Sequence, residues 1–339
     1  MALASRKAKS EQGYTLIELL VAILIAALVI TPLLGLAVNL LRTDRQEQAK
    51  AASEQEIQDA ANYIARDLDQ AVFIYDGDAL DNTPPDGIQN QIPPNSAAPG
   101  CNDDSCQPIL VFWKRRPVAD AIPRDYQNSQ DLGTNCTDDG TAADCNDTFV
   151  YSLVAYYLID NDDDDNVWSN TARIGRFEVS DGVSVPGGQL LEELDESYVA
   201  ERNKRDEGFA PFTCQPAEGV ETCLNRWVKG DGSYTQPVET LIDFVDQTPE
   251  GTAELPSVED CPSQGTWTQS PAETPSNFPT SFYACVRNDA IPYVARFYIR
   301  GNALARIRPE DNPPQYSEGR SAYFPEIQTE VRAKGRFVQ

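Results

Sequence analysis

The sequence of 339 residues contains no histidine. This absence excludes the serine–histidine and cysteine–histidine arrangements of nucleophilic catalysis and removes the commonest general base. Paired carboxylates could still cleave glycosides, but among 53 acidic residues some lie close together by chance. No pattern in the chain indicates catalysis. We therefore expect a protein that is not an enzyme and requires no cofactor.

Basic residues are scarce, with 27 Lys and Arg against 53 Asp and Glu and a formal net charge of −26. Because nucleic-acid binding depends on the neutralisation of phosphates, we expect no bulk nucleic-acid binding. The charge is unevenly spread. Residues 76–165 carry 18 acidic and four basic side chains, whereas residues 287–339 carry nine basic and six acidic ones. The basic C-terminal segment either pairs with acidic groups of the same molecule or complements a neighbouring one.

Cysteine is absent from the first 100 residues, and all eight cysteines follow. Their even number and close spacing are typical of disulfides in an oxidising compartment. Zinc is disfavoured because the chain has no Cys-x-x-Cys spacing and no histidine. Eight cysteines allow 105 connectivities, and we choose the pairing of sequence neighbours: Cys101 with Cys106, Cys136 with Cys145, Cys214 with Cys223, and Cys261 with Cys285.

The chain has one long apolar run, which extends over 28 residues from Tyr14 to Leu41 with Glu18 as its only ionisable residue. As a helix this run is about 42 Å long and can cross a hydrocarbon core of about 30 Å. The apolar region of a secretory signal is shorter, at about 7–15 residues. A carboxylate inside such a run is costly in lipid and marks a functional site. Pro32 interrupts the helix by removing a hydrogen bond.

The residues Gly13-Tyr14-Thr15-Leu16-Ile17-Glu18 follow a leader that contains Arg6, Lys7 and Lys9. This N-terminus resembles the precursors of type IV pilins and type II secretion pseudopilins. Their basic leader ends in Gly and is followed by an aromatic residue, usually Phe, then Thr-Leu-Ile-Glu and an apolar helix. Tyr14 is a mild departure that keeps the aromatic ring.

The resemblance implies cleavage between Gly13 and Tyr14 by the prepilin peptidase and N-methylation of Tyr14. Glu18 is then the fifth mature residue, and it neutralises the amino terminus of a neighbouring subunit in low dielectric. Pro32 is either an ordinary kink or a place where the helix stretches or melts during assembly. The alternative for the whole stretch is an ordinary signal anchor, in which Glu18 is a tolerated polar residue.

After the apolar run, the helix is predicted to continue over residues 42–75 and to stop before Gly77. The segment Arg66–Ala71 weakly resembles the helix end of PilW-type minor pilins and J-type pseudopilins. One apolar stripe at three- and four-residue spacing predicts packing on a globular head. Its members are Ile57, Ala60, Ala61, Ile64, Leu68, Ala71, Val72 and Tyr75.

Residues 76–339 are predicted to form a β-rich head, with long loops over residues 76–108 and 247–280. A short acidic helix is predicted around Leu190–Arg202. The predicted strands are Ile109–Lys114, Phe149–Ile159, Arg173–Val179, Thr240–Val245, Ser281–Arg287, Pro292–Arg300, Ala303–Arg308 and Ile327–Phe337. The fold class is therefore α+β, with a long N-terminal helix packed on an antiparallel sheet whose loops are held by disulfides.

An acidic run follows the strand that ends at Ile159, and Asp160, Asp162 and Asp164 alternate in it. Alternate oxygen ligands can converge on calcium. The run lacks the glycine and the glutamate of an EF-hand loop, so a solvated acidic turn is the interpretation that we favour over a calcium site.

The resemblance implies a minor type IV pilin or pseudopilin, a structural subunit used in motility, DNA uptake or secretion of protein or polysaccharide. Its partners are other pilins, the prepilin peptidase and methyltransferase, the inner-membrane assembly platform and lipid. The precursor is expected in a bacterial inner membrane, with residues 1–13 as leader, residues 14–41 in the membrane and the head outside the cytoplasm. The mature subunit then enters a periplasmic or surface filament. The alternative is a membrane-anchored, exported binding protein that does not polymerise.

Overall fold

The computed structural model describes residues 13–96, 98–101, 105–123, 136, 145–160, 167–185, 188–194, 203–212, 214–215, 218–256, 261–263, 265–273, 278–308 and 313–336. The chain divides into two compact units. The first unit ends at Gln48, and the second runs from Ala49 to the C-terminus.

Helix α1 covers Leu16–Asp69 without interruption and belongs to both units. Within the first unit, every described residue up to Leu41 is exposed. Within the second unit, the helix buries one face, which the predicted stripe describes correctly up to Leu68. The buried residues of α1 are Ala49, Ser53, Ile57, Ala60, Ala61, Ile64, Asp67 and Leu68.

The predicted end of this helix at Tyr75 is wrong, because α1 ends at Asp69 and is followed by strand β1, Ala71–Ile74. The β-branched and aromatic residues of Val72-Phe73-Ile74 favour a strand. All four residues of β1 are buried, and β1 pairs with β2 in the sheet. The apolar residues after Leu68 were therefore correctly predicted as core but placed in the wrong element.

The first sheet is antiparallel and has the strand order β1-β2-β3-β4-β5. Four of its strands contain the segments predicted from the sequence. Residues Leu153–Ile159 of β3 are all buried, so both faces of this central strand are covered. The further strands are β2, Cys106–Pro123; β3, Cys145–Ile159; β4, Ala172–Ser180; and β5, Glu239–Val245.

The second sheet is also antiparallel, with the order β6-β7-β8-β9. Three of its strands overlap predicted segments, although β9 ends at Arg332 and the prediction Ile327–Phe337 continued beyond it, whereas β6 lies in a predicted loop. Phe282, Phe297 and Ile299 belong to the same hydrophobic core as the first sheet. The strands are β6, Thr268–Ser270; β7, Phe282–Arg287; β8, Val294–Arg300; and β9, Glu326–Arg332.

The predicted strand Ala303–Arg308 is wrong, since Ala303–Ile307 forms helix α5. The Asn302 side chain accepts a hydrogen bond from the Ala305 N–H at 3.2 Å and so caps this helix. The other short helices among the described residues are α2, Gly77–Asp81; α3, Leu191–Leu194; and α4, Val220–Asn225, with 3₁₀ turns at Gln89–Gln91 and Glu318–Tyr323. The predicted helix around Leu190–Arg202 extends outside the described residues.

The two sheets are joined at the end of β5. Val245 and Gly301 form an isolated bridge, and the Asn302 N–H donates to the Phe244 carbonyl at 2.7 Å. Beside this bridge, Arg300 Nε donates to the fully buried Asp246 Oδ2 at 2.7 Å. This buried ion pair connects β8 to the end of β5, and removal of Arg300 would leave the buried carboxylate of Asp246 without its cation.

Candidate processing and assembly site

Gly13 and Tyr14 precede helix α1 and are exposed. A Cβ atom built on Gly13 would meet no atom within 4 Å. The packing of the described chain therefore does not require glycine at this position. A requirement for glycine would have to come from another molecule, as expected for a peptidase that binds the chain at this point.

Thr15 caps the first turn of α1. Its Oγ1 accepts a hydrogen bond from the Glu18 N–H at 3.3 Å, and its carbonyl accepts one from the Leu19 N–H at 3.1 Å. The spacing Thr-x-x-Glu is that of a capping box, so the sequence itself carries a signal for the start of this helix. Thr15 thus has a structural role in the motif, because it satisfies an N–H group that the helix leaves unpaired.

Glu18 lies in the first turn of α1 and is exposed. A carboxylate in this turn interacts favourably with the positive end of the helix dipole. Among the described residues, Glu18 has no salt-bridge partner. The predicted pairing with the amino terminus of a neighbouring subunit would supply one, and it stays a prediction because it requires a second chain.

Pro32 lies inside α1, and the helix continues through it. Proline has no N–H to donate, so one backbone carbonyl of the preceding turn loses its usual partner. At the residue before it, the Thr31 hydroxyl donates to the Ala27 carbonyl at 2.7 Å. Such back-bonding to the carbonyl four residues earlier favours a bend in a helix, so Thr31 and Pro32 act on the same turn. The role of Pro32 in assembly remains a prediction.

The apolar surface of α1 in the first unit is unusually large. Among the described residues, α1 is the one helix that is long and apolar enough to cross a membrane, and none of the apolar window that qualifies it is buried. Leu16 is 91% exposed and Leu28 is 77% exposed. Soluble proteins rarely leave a contiguous apolar patch of this kind uncovered. This part of the helix therefore has the composition of a segment that lies in lipid or against other apolar helices.

The second unit holds its part of α1 through a buried ionic cluster, which the sequence did not reveal. Asp67 accepts hydrogen bonds from Lys114 Nζ at 3.0 Å, Arg176 Nε at 2.9 Å and Tyr156 Oη at 2.8 Å. Glu178 pairs with both cations and completes the cluster. Burial by itself raises the pKa of Asp67, but the attraction of Lys114 and Arg176 outweighs it and brings the pKa below its usual range.

The eight cysteines form four disulfides between sequence neighbours, and no described cysteine is free. This is the pairing chosen from the sequence. Cys261–Cys285 ties a loop to strand β7, and the other three bonds close short loops. The bonds are Cys101–Cys106, Cys136–Cys145, Cys214–Cys223 and Cys261–Cys285.

The predicted calcium loop is described only at its first residue, Asp160, whose N–H donates to the Ser105 carbonyl at 2.9 Å. Asp162 and Asp164 lie outside the described residues. Within the described ranges, no group of three or more His, Cys, Asp or Glu side chains could hold a metal ion. The calcium site stays a prediction.

Basic residues near the C-terminus pair with acidic residues of α1. Arg306 forms an ion pair with Glu56, and Lys334 Nζ lies 2.6 Å from Asp69 Oδ1. These contacts agree with the first of the two interpretations of the uneven charge, in which the basic segment serves its own head. Complementarity with a neighbouring molecule stays a prediction.

A family model described as the prokaryotic N-terminal methylation motif matches residues 8–34. No curated protein and no solved structure gives a significant match to the chain. The matched segment contains Gly13, Tyr14, Glu18 and Pro32, which are the residues selected from the sequence. Proteins with this motif are typically structural. The chain therefore carries the prepilin-type motif, which supports a relation to the type IV pilins and pseudopilins.

Proposed function

We propose that this protein is a minor type IV pilin or pseudopilin, a structural subunit of a pilus or pseudopilus. The main support for the proposal is that two features occur in the same segment. The methylation motif at residues 8–34 overlaps the part of α1 whose apolar side chains are all exposed. A processing motif and an uncovered apolar helix together suit a subunit that moves from membrane to filament.

The first step is processing of a precursor in the inner membrane. The prepilin peptidase cleaves between Gly13 and Tyr14 and the new amino group is methylated, while the head lies outside the cytoplasm. The free space around Gly13 supports this step, because no described atom lies within 4 Å of the place where a side chain on Gly13 would begin. Cleavage leaves the Thr15 cap intact, so the mature helix keeps its first turn.

The second step is transfer from lipid into a filament with the help of the assembly platform. The exposed apolar residues of α1 would pack against the same region of other subunits. Glu18 would meet the amino terminus of a neighbouring Tyr14, where an unpaired charge in low dielectric would be costly. Only subunits in the correct axial register bring these two charges together, so the pair favours one register.

The size of the second unit favours a minor subunit. It extends from Ala49 to Gln339 and contains two sheets, four disulfides and several long loops. Major subunits must pack densely along the filament, which a large head hinders. A subunit that is used in few copies, as in a tip complex, is not limited in this way.

The decisive experiment is the mass of the N-terminal peptide of protein taken from host membranes. We expect a peptide that begins with N-methylated Tyr14, and an intact leader in cells that lack the prepilin peptidase. A Gly13→Leu variant should retain its leader in normal cells. An intact leader on the wild-type chain in cells with an active peptidase would contradict the proposal and favour a signal anchor.

Incorporation tests the role of Glu18 separately. We expect Glu18→Ala to reach the membrane normally but to be depleted from sheared filaments. Glu54→Ala is the matched control, because Glu54 is an exposed glutamate on the same helix outside the apolar part. If both variants enter filaments as well as the wild type does, the proposed role of Glu18 is wrong. If even the wild type never enters filaments, the protein is an anchored binding protein instead.

A further inference from the structure

A small pocket of about 230 Å³ lies at the end of the second sheet, on the face that points away from the main core. Tyr283 of β7 and Tyr298 of β8 are directly opposite in register, and Gln328 of β9 is opposite Tyr298. Their sequence neighbours Phe282 and Phe297 belong to the main hydrophobic core. Because side chains alternate along a strand, the tyrosines and the glutamine share the outer face.

The pocket combines an aromatic wall with polar groups. The rings of Tyr283 and Tyr298 are stacked, with centroids 4.5 Å apart and planes only 7° from parallel. Gln328 Nε2 donates to Tyr298 Oη at 3.3 Å. Pro256 adds apolar surface. Each tyrosine is 9% exposed, and the exposed part of the stacked pair can contact an apolar face of a ligand.

Two buried polar side chains that line the pocket have atoms without a partner among the described residues. Arg300 is 7% exposed. Its Nε donates to Asp246 and its Nη1 to Glu326 Oε1 at 3.3 Å, but its Nη2 has no partner in the part of the chain that the structure describes. Ser281 is 1% exposed, and within the same residues its hydroxyl has no partner either. The two residues are adjacent, since the Arg300 N–H donates to the Ser281 carbonyl at 2.8 Å. Unpaired buried polar atoms are uncommon and cost free energy, so they indicate a site for a polar group.

The charges around the pocket indicate a neutral ligand. The guanidinium of Arg300 is already balanced by Asp246 and Glu326, so an anion placed there would meet two carboxylates. A neutral ligand with several hydroxyl groups could accept a hydrogen bond from Arg300 and exchange hydrogen bonds with Ser281 and Glu326. The volume lies below the range of about 300–1,000 Å³ that is usual for drug-sized ligands, which limits the ligand to about one ring.

We propose that this pocket binds a single neutral sugar unit of a glycan. A pyranose ring has an apolar face of C–H groups, which suits the tyrosine wall, and a rim of hydroxyls, which suits Arg300, Ser281 and Gln328. The site lies in the second unit and uses no residue of the processing motif. It therefore gives the head a recognition role that is separate from membrane insertion and assembly.

Saturation-transfer NMR on the full chain tests the proposal, in an amine-oxide detergent so that no sugar headgroup competes. The probes are D-glucose, D-galactose, D-mannose and N-acetyl-D-glucosamine, with D-glucuronate as the charged comparison. We expect at least one neutral sugar to show saturation transfer and to bind more tightly than glucuronate. Binding by none of the four, or tighter binding of glucuronate, would overturn the proposal.

Variants then locate the binding. Ser281→Ala should weaken sugar binding about fivefold, the equivalent of one hydrogen bond, without lowering the unfolding temperature. Ser96→Ala is the matched control, because Ser96 also has a buried, unpaired hydroxyl but lies outside the pocket. Gln328→Trp adds bulk at an exposed position of the rim and should abolish binding. Unchanged affinity in both pocket variants, or an equal loss in Ser96→Ala, would show that the sugar binds elsewhere.

Discussion

Both parts of α1 are helical, but the first part exposes its side chains and the second part buries one face. Up to Leu41, the described residues of the first part are all exposed, although almost all of them are apolar. From Ala49 to Asp69, the helix is rich in charged and polar residues, yet it buries a continuous face. Helix formation by itself therefore does not determine which side chains are buried. The second part packs on a surface of its own chain, whereas the first has the composition of a segment that lies in lipid or against other apolar helices.

The second part is also fixed by charge. Asp67 lies on the buried face and meets two cations and a tyrosine hydroxyl on the first sheet. We infer that the cluster fixes the position of the helix on the sheet, because a shift would leave buried charges without their partners. The following substitutions each change either the exposed or the packed part of α1. Unfolding of the second unit is measured by the fluorescence of the four tryptophans, which all follow Ala49.

The largest expected effect is that of Asp67→Ala. This variant leaves Lys114 and Arg176 buried with only Glu178 to balance them. We expect the free energy of unfolding of the second unit to fall by about 3–5 kcal/mol, as is typical when one member of a buried ion pair is removed. Denaturant unfolding of the full chain in detergent measures it.

Glu54→Ala is the control for that experiment, because it removes an exposed carboxylate from the same part of α1. Its effect should stay within about 0.5 kcal/mol. If Asp67→Ala costs no more than the control, the ionic cluster does not fix the helix and the interpretation above is wrong.

A paired leucine experiment tests the comparison directly. Leu68 is completely buried, whereas Leu24 is 60% exposed. We expect Leu68→Ala to lower the free energy of unfolding of the second unit by about 2–5 kcal/mol, since it removes apolar contacts and leaves a cavity. Leu24→Ala should change it by less than about 0.5 kcal/mol. Equal effects of the two substitutions would contradict the division of the helix into an exposed and a packed part.

Much of this architecture follows from local patterns in the sequence. The helical stripe from Ile57 to Leu68 and the cores of β3 and β8 have strong periodicity or dense β-branched and aromatic runs. The end of α1 was misplaced because Ala71 and Val72 continue the helical spacing by chance, while their pairing with β2 depends on a distant segment. Local spacing cannot reveal such a partner.

The candidate sites also differ in whether a local sequence pattern predicts them. Gly13, Tyr14 and Glu18 form a contiguous motif, so they could be selected from the sequence. The ionic cluster joins Asp67, Lys114 and Arg176 across separations of up to 109 residues between hydrogen-bonded partners, and the tyrosine pocket needs the register of β7 with β8. No single segment carries a signal for either arrangement. In one case a signal was present, since Thr15 and Glu18 have the spacing of a capping box.

The pH dependence of stability should report on the ionic cluster. Attraction to Lys114 and Arg176 outweighs burial and lowers the pKa of both Asp67 and Glu178. The stabilisation from a lowered carboxyl pKa is present above the unfolded value of about 4 and is lost as the pH falls through the folded value. We expect the free energy of unfolding to fall by about 1–3 kcal/mol between about pH 5 and about pH 2 because of these two groups.

The Asp67→Asn, Glu178→Gln double variant isolates this contribution. Its unfolding should depend less on acid than that of the wild type. Burial raises the pKa of Asp206, which contributes with the opposite sign. Repulsion by Glu178 is the smallest cause of that rise, so most of this contribution is common to both proteins. An unchanged acid slope in the double variant would mean that the cluster does not contribute to acid sensitivity.

The smallest expected effect is that of Lys334→Ala, which removes the ion pair with Asp69 at the end of α1. The two side chains are 76% and 42% exposed, so solvent and salt screen their attraction. The backbone bond from the Lys334 N–H to the Asp69 carbonyl, at 2.9 Å, does not depend on the side chain. We expect a loss of at most about 0.5 kcal/mol, which disappears at high salt. A salt-independent loss comparable to that of Leu68→Ala would mean that the Lys334–Asp69 ion pair at the end of α1 stabilises the packed part of the helix as much as its buried face does. A small loss would leave the buried face and Asp67 as the features that separate the packed part of α1 from the exposed part.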